Sequence, residues 1–216
     1  MPRQEVPAYV GPASDGGREQ LDGLSLRREV PADHRAVERL TFEAFEVAEV
    51  SCGDEALLSR LLRSSDAFVP ELDFVADLAG HVVGNIMYTR SKVVGAGTSW
   101  ETVTFGPLSV APSHHRRGVG TALVGRTLAL AAEMGFRAVL IFGHPAYYQR
   151  FGFRPAAEFD ITMANGDSIP AFMALPLSDG GLEGVTGAFH DDPTFSTVDK
   201  AESAAFNEEL RAGSPR

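Results

Sequence analysis

The chain reads as an α/β protein with a mixed, mostly antiparallel central sheet, a bulged fourth strand and helices on both faces. Three observations predict this. Segments of period two and of period 3.6 follow one another in the order strand, two helices, three strands, helix, strand, helix, two strands. Within the fourth strand the apolar phase slips by one residue: Val103 and Phe105 hold odd positions, and after Gly106-Pro107 the apolar Leu108 and Val110 hold even ones. A regular strand keeps one parity. A bulge is therefore expected at Gly-Pro, where Pro107 also removes a backbone donor and the strand should part from its neighbour. Finally, the turn His114-His115-Arg116-Arg117-Gly118-Val119-Gly120-Thr121 opens into an apolar stripe at Leu123, Val124, Thr127, Leu128, Ala131 and Met134.

The elements follow in order. Residues 24–30 alternate apolar and charged side chains, and Pro31-Ala32-Asp33 ends that strand, with Asp33 as N-cap of a helix carrying Val37, Leu40, Thr41, Ala44 and Phe45. A second helix over 54–64 lines up Leu57, Leu58, Leu61 and Leu62, and Pro70 ends the connection. Residues 73–79 and 81–94 read as adjacent strands about a tight turn at Ala79-Gly80, the second of them long, and 102–110 add the bulged strand. The next helix ends at Gly135, and residues 138–142 are continuously apolar, as a strand beside a parallel neighbour requires. Pro145 suits the first turn of a short helix holding Tyr147 and Tyr148. Residues 153–163 and 171–177 are predicted as the last two strands, separated by the turn Asn165-Gly166-Asp167. Residues 199–210 predict an amphipathic helix, with Asp199 and Glu202 placed for a capping box.

With 216 residues and 44% hydrophobic content the chain can build one domain with a substantial core, expected over residues 24–195. Residues 1–23, with Pro2, Pro7, Pro12 and Gly16-Gly17 but no apolar run, are expected to be a disordered leader and not a signal peptide; residues 196–216 form a C-terminal helix and tail. No stretch has the apolar length of a membrane span, so a cytoplasmic location is the simplest expectation. The single cysteine, Cys52, excludes an internal disulfide and a cysteine-rich zinc site, and no metal is expected. Cys52 lies in a Ser-Cys-Gly connection with no nearby His, which argues against a nucleophile. The formal charge of −10 argues against nucleic-acid binding through phosphates and leaves room for a cationic amine.

In so acidic a chain the basic cluster from His114 to Arg117 stands out. Placed at the head of a helix, it combines unpaired N–H groups, the positive end of the helix dipole and glycines that admit close backbone approach, which together suit a pyrophosphate. Nucleotide-binding glycine motifs fit poorly: no Gly-x-x-x-x-Gly-Lys-(Ser/Thr) is present, and Leu123 stands where Gly-x-Gly-x-x-Gly needs its third glycine.

These residues resemble the GNAT superfamily of N-acetyltransferases, whose acetyl-CoA signature is (Gln/Arg)-x-x-Gly-x-(Gly/Ala) after a bulged strand. The signature here is His115-Arg116-Arg117-Gly118-Val119-Gly120, with His115 in place of Gln or Arg. A second stretch, Gly143-His144-Pro145-Ala146-Tyr147-Tyr148-Gln149-Arg150-Phe151-Gly152-Phe153, resembles the strand, short helix and Gly-Phe turn that end the family's core. Tyr148 falls four residues before Gly152, where many GNAT enzymes carry their general acid. Where many members place an Asn to hold the pantetheine arm, this chain has Ile141-Phe142-Gly143. With the run Leu182-Glu183-Gly184-Val185-Thr186-Gly187, the resemblance covers residues 24–195 and points to a bacterial subgroup of small GNAT proteins.

The resemblance implies the GNAT fold, acetyl-CoA as cosubstrate, and direct transfer of the acetyl group to a primary amine in a ternary complex. It implies cofactor contacts at Leu108, Ser109, Val110, His115, Arg116, Arg117, Gly118, Val119, Gly120 and Thr121, with oxyanion stabilisation by N–H groups near Leu108 and Val110. Tyr148 protonates the departing thiolate in this scheme. A base is harder to name: Thr102, Thr104 and Ser109 are not acidic, and Glu101, Glu43, Glu46 and Glu49 suit solvated surface, so a water chain is an alternative. Two other classes stay open, a degenerate GNAT module that binds acyl-CoA as a sensor or scaffold without turnover, and a plain interaction domain. The acceptor amine is unidentified, and a homodimer is left open.

Overall fold

The structure, a computed structural model, describes residues 21–48 and 51–213. Most of the expected leader, Glu49 and the last three residues lie outside the described residues. The elements are β1 (Leu24–Arg28), α1 (His34–Glu46), α2 (Glu55–Leu62), β2 (Phe74–Leu78), β3 (His81–Gly95), β4 (Thr98–Val110), α3 (Val119–Glu133), β5 (Ala138–Phe142), α4 (Pro145–Tyr148), β6 (Arg154–Pro155), β7 (Ile161–Thr162), β8 (Phe172–Pro176), β9 (Gly187–His190), α5 (Thr194–Thr197) and α6 (Lys200–Ala212). The sheet runs β1-β2-β3-β4-β5-β8-β6, with β9 paired to β3 and to β7. Strands β4–β5 and β7–β9 pair parallel; β1–β2, β2–β3, β3–β9, β5–β8 and β6–β8 pair antiparallel. The mixed, mostly antiparallel α/β class is as predicted.

Contacts divide the described residues into two compact units: Arg90–Phe105 with Gly125–Asp191, and a second made of residues 21–48, 51–89, 106–124 and 192–213. In the second unit, side-chain alternation along β3 explains why helices cover both of its faces. Met87 packs with Leu58 and Leu62 of α2, whereas a Cβ on Gly84 would meet Val119 and Leu123 of α3. Positions 84 and 87 differ in parity and so point to opposite sides. The C-terminal helix belongs to this unit's core and is not a loose tail: Phe206 and Leu210 pack against Phe42, Ala56 and Leu57, and the Arg60 guanidinium lies 4.1 Å from the Phe206 ring centre. Asp199 caps α6 by accepting from the N–H groups of Ala201 and Glu202.

Asp33 stands at the N-cap of α1, as predicted, but its carboxylate faces backward. It accepts from Val30 N at 3.0 Å and from both terminal nitrogens of Arg27, at 2.6 and 3.0 Å. Arg27 also reaches Asp77. A two-point pair between opposite charges outcompetes a carboxylate–N–H cap, so Asp33 locks the β1–α1 joint.

Just beyond β1, Glu29 and Asp73 share a buried site. The amide of Asn85 donates toward Glu29 Oε2 and Asp73 Oδ1, each at 3.2 Å, and toward the Phe74 carbonyl at 3.1 Å. Arg63 lies 2.6 Å from Glu29, and His34 3.8 Å from it. Two carboxyls thus face one buried guanidinium. Burial, and then the Asp73 charge, push Glu29 from its ordinary 4.5 up to about 8 against the opposing pull of Arg63. Burial raises Asp73 as well. Since the unfolded chain gives up the Glu29 proton near 4.5 and the folded chain near 8, the stability this site contributes is full below about pH 4.5 and is lost as pH rises through 8. Melting curves from pH 5 to 9 should show a falling trend that Glu29→Gln flattens, by several degrees at the alkaline end, since about 1 kcal/mol moves the melting temperature of a chain this size by roughly 2–4 °C. Parallel trends in the two proteins would show that Glu29 is ionised throughout.

In the first unit, β5 is buried along Ala138, Val139, Leu140 and Ile141. Its registered pairing with β4 is Val103↔Val139, whereas β8 follows it over five positions from Ala138↔Pro176 to Phe142↔Phe172. The expected strand over 153–163 is broken up. Only Arg154 and Pro155 pair with β8, a 3-10 turn occupies Ala156–Phe159, Asp160 adopts φ +56°, and Ile161-Thr162 pair with β9. Pro155 lacks a donor, and the left-handed Asp160 turns the chain, so a continuous ladder is excluded. Strand β9 was not predicted. It pairs with Lys92, Val93 and Val94, which explains why β3 is long.

Candidate active site

The two sequence motifs fall in different units. Strand β4 passes through Gly106-Pro107, a cis peptide bond. Beyond it the burial phase is the reverse of the prediction: Pro107 and Ser109 are buried, whereas Leu108 and Val110 are half-buried. The polar Ser109 is tolerated inside because its hydroxyl donates to Thr41 Oγ1 of α1 at 3.0 Å. Leu108 and Val110 therefore stay out of the core beside the turn, and the Ser109 side chain is spent on α1.

After β4 come a 3-10 turn at Pro112–His114 and then the predicted signature. Arg116 has φ +59° and Gly118 φ +86°, so the segment from His115 to Val119 forms a compact reversal. His115, Arg116 and Arg117 are exposed, Gly118, Gly120 and Thr121 are partly covered, and Val119 is buried as the first residue of α3. His115 Nε2 is bonded to the Val110 carbonyl oxygen at 2.8 Å. The predicted arrangement is thereby present in this unit: two exposed arginines and a glycine turn feeding the N-terminus of a 15-residue helix.

Sequence reasoning missed what lets that helix start where it does. A Cβ on Gly84 would lie 2.8 Å from Val119 Cγ1, 3.0 Å from Leu123 Cδ1 and 3.3 Å from the Ser109 carbonyl oxygen. The first turn of α3 can approach β3 only because position 84 has no side chain. A lone glycine in a strand is the available signal for such close approach. Gly84→Val should destabilise the fold by roughly 1–3 kcal/mol through overpacking, read as a lower denaturation midpoint. An unchanged midpoint would show that α3 yields freely.

The second motif lies in the other unit. Helix α4 carries Tyr147 and Tyr148, a 3-10 turn at Gln149–Phe151 continues it, and Gly152 ends it at φ +91°. The Tyr148 ring is surrounded by aromatic rings, with centroids 4.9 Å from Tyr147, 5.7 Å from Phe105 and 5.7 Å from Phe153. Burial pushes its phenol well above the usual range, and the neighbouring Tyr147 adds to the shift, so the hydroxyl stays protonated at neutral pH. Gly143 makes room for it: a Cβ there would lie 2.6 Å from Tyr148 Cδ2 and closer still to Cε2. Tyr147 meets the Arg150 guanidinium at 4.8 Å.

The "Acetyltransferase (GNAT) domain" family matches residues 27–156, a span that contains both motifs. The chain belongs to the GNAT family. It is similar to the uncharacterized N-acetyltransferase YhbS of Escherichia coli K12, at 33% identity over 164 residues that cover 76% of this chain and 93% of that protein. Among solved structures it resembles the E. coli GNAT family N-acetyltransferase YhbS in complex with CoA, at 29% identity and TM-score 0.72, covering 87% of this chain and 97% of that one. It also resembles a GNAT family acetyltransferase from Brucella melitensis in complex with acetyl-CoA, at 26% identity and TM-score 0.63, covering 80% and 97%. In this GNAT chain His115 occupies the position where the signature has Gln or Arg.

Among the described residues, the carboxylates considered as bases are engaged elsewhere. Glu101 pairs with Arg90, Glu43 with Arg39 and Glu46 with Arg211. Cys52, Asp54 and Glu55 offer ligand atoms within 4.8 Å of one another. Glu55, however, accepts from Ser51 Oγ, Cys52 N and Gly53 N, and Asp54 holds Lys200, so these groups tie the loop before α2 to α6. A cavity of 190 Å³ between α1, the start of α2 and α6 is lined by Phe42, Phe45, Glu46, Glu55, Asn207 and Arg211, among others, and by no residue of either motif. No helix among the described residues is long and apolar enough to cross a membrane.

Proposed function

We propose that the protein is an acetyl-CoA-dependent N-acetyltransferase that transfers the acetyl group to a primary amine by direct attack, with no covalent enzyme intermediate. The observation that carries this reading is the signature turn at the head of α3 within a chain of the GNAT family. CoA and acetyl-CoA in the related YhbS and Brucella structures support the choice of cosubstrate. In this reading the pyrophosphate rests on N–H groups from Arg116 to Thr121, Arg116 and Arg117 add charge, and the half-buried Leu108 and Val110 flank the thioester. The attacking amine loses its proton to a water chain as the C–N bond forms, backbone N–H groups of that strand end stabilise the oxyanion, and Tyr148 gives a proton to the sulfur as the C–S bond breaks.

The ion pairs of Glu101, Glu43 and Glu46 favour one alternative, a GNAT module that binds acyl-CoA without turnover. Thiol release separates the two. Acetyl-CoA should raise the melting temperature, with a linkage contribution of about 2.7 kcal/mol at a hundredfold excess over its dissociation constant. A panel of primary amines should then release free CoA. Binding without release on any amine supports the alternative; no shift with acetyl-CoA refutes both.

A further inference from the structure

The imidazole of His115 is tied to the backbone of the strand that precedes the turn. Its Nε2 lies 2.8 Å from the carbonyl oxygen of Val110, the last residue of β4. A carbonyl oxygen only accepts, so the ring carries a proton on Nε2 and donates it. The same peptide unit is held on its other side, where Ala111 N–H donates to the Val83 carbonyl of β3 at 2.9 Å. The Val110–Ala111 peptide plane is therefore pinned at both ends.

Between this pinned peptide and α3 lies a segment that needs such support. Arg116, a residue with a Cβ, sits at φ +59°, a conformation that persists only where surrounding contacts hold it. His115 is its immediate neighbour, and the ring bond closes the chain from Val110 to His115 into a ring just before that strained residue. Once closed, the loop hands Arg116 to Gly120 into α3 in a single arrangement, so N–H groups that would meet an anion are oriented before it arrives.

We infer that His115 is a positioning residue for the cofactor turn: its Nε2–H clamps the Val110 carbonyl and presets the N–H groups that follow, acting through the backbone and not by contact with the cofactor. This rests on the acyl-CoA reading above. It also gives a chemical sense to the departure at the first signature position. Gln, Arg and His share an N–H donor on a side chain long enough to reach back to a strand end, and they do not share a charge. The inference makes the donor the requirement.

The experiment is isothermal titration of CoA into the wild type and into His115→Ala, His115→Gln and His115→Arg, with ligand-free melts of each. His115→Ala should weaken CoA binding about five- to tenfold, the scale of one net hydrogen bond, with little change in the ligand-free melt because the ring is exposed. His115→Gln and His115→Arg should recover most of the affinity. Equal binding by the wild type and His115→Ala would overturn the inference alone. Affinities for the Gln and Arg variants as weak as for Ala would overturn it in favour of direct contact between the ring and the cofactor. Failure of the wild type to bind CoA would overturn the acyl-CoA reading and this inference together, which sets that outcome apart from the others.

Discussion

Tyr148→Phe should lower turnover roughly 10²- to 10⁴-fold while leaving acetyl-CoA affinity unchanged. The substitution keeps the ring, and with it the packing against Phe105, Tyr147 and Phe153, and removes only the hydroxyl. A thiol of ordinary pKa, about 8.5, is a stronger acid than a phenol of about 10, so proton transfer to a fully solvated thiolate would run uphill. Burial raises the Tyr148 phenol further, so the transfer runs downhill only where the leaving thiolate is desolvated more than the phenol. Tyr147→Phe is the control and should change turnover little, since its ring is packed against Tyr148 and Arg150. Gly143→Ala should reproduce much of the loss with the hydroxyl still present, because the new methyl would occupy the place of the Tyr148 ring. Steady-state thiol release beside a CoA titration measures all three. Near-normal turnover in Tyr148→Phe would move the proton source to water or to Tyr147.

Gly120→Asp should abolish the CoA-induced rise in melting temperature without lowering the melt of the free protein. Gly120 is the second residue of α3, where a carboxylate favours the helix through its dipole and aspartate forms helix better than glycine. The same carboxylate would face the pyrophosphate with like charge and occupy the space that close approach requires. Fold and binding should therefore respond in opposite directions, which a pair of melts with and without CoA resolves. A shift equal to that of the wild type would move the pyrophosphate away from this turn.

The signals that were legible in the sequence are local ones. The 3.6-residue stripe from Leu123 to Ala131, the glycine reversal before it and the turn at Ala79-Gly80, with φ +52° and +83°, depend on residues close in the chain. The period of their side chains and the φ values they tolerate are enough to predict them. The continuous apolar run of β5 belongs to the same class, since burial on both sides leaves no polar phase to interpret.

Where a side chain's partner comes from a distant segment, the sequence pattern was misleading or silent. Leu108 and Val110 look like core and Ser109 like surface until Thr41, 68 residues away, supplies the hydrogen bond that lets Ser109 be buried. Residues 153–163 look like one strand until β9 takes up Ile161 and Thr162. Gly84 offers only the signal of a lone glycine in a strand, because what it and Gly143 provide is the absence of a Cβ facing Val119 or Tyr148. The sequence by itself determined the family, the order of the elements from β1 to α4 and the basic glycine turn at the head of α3, all set by local periodicity, glycine spacing and charge. Only the tertiary structure decided which polar groups are satisfied by partners and which positions must be empty of side chain, because both depend on which distant segments pack together.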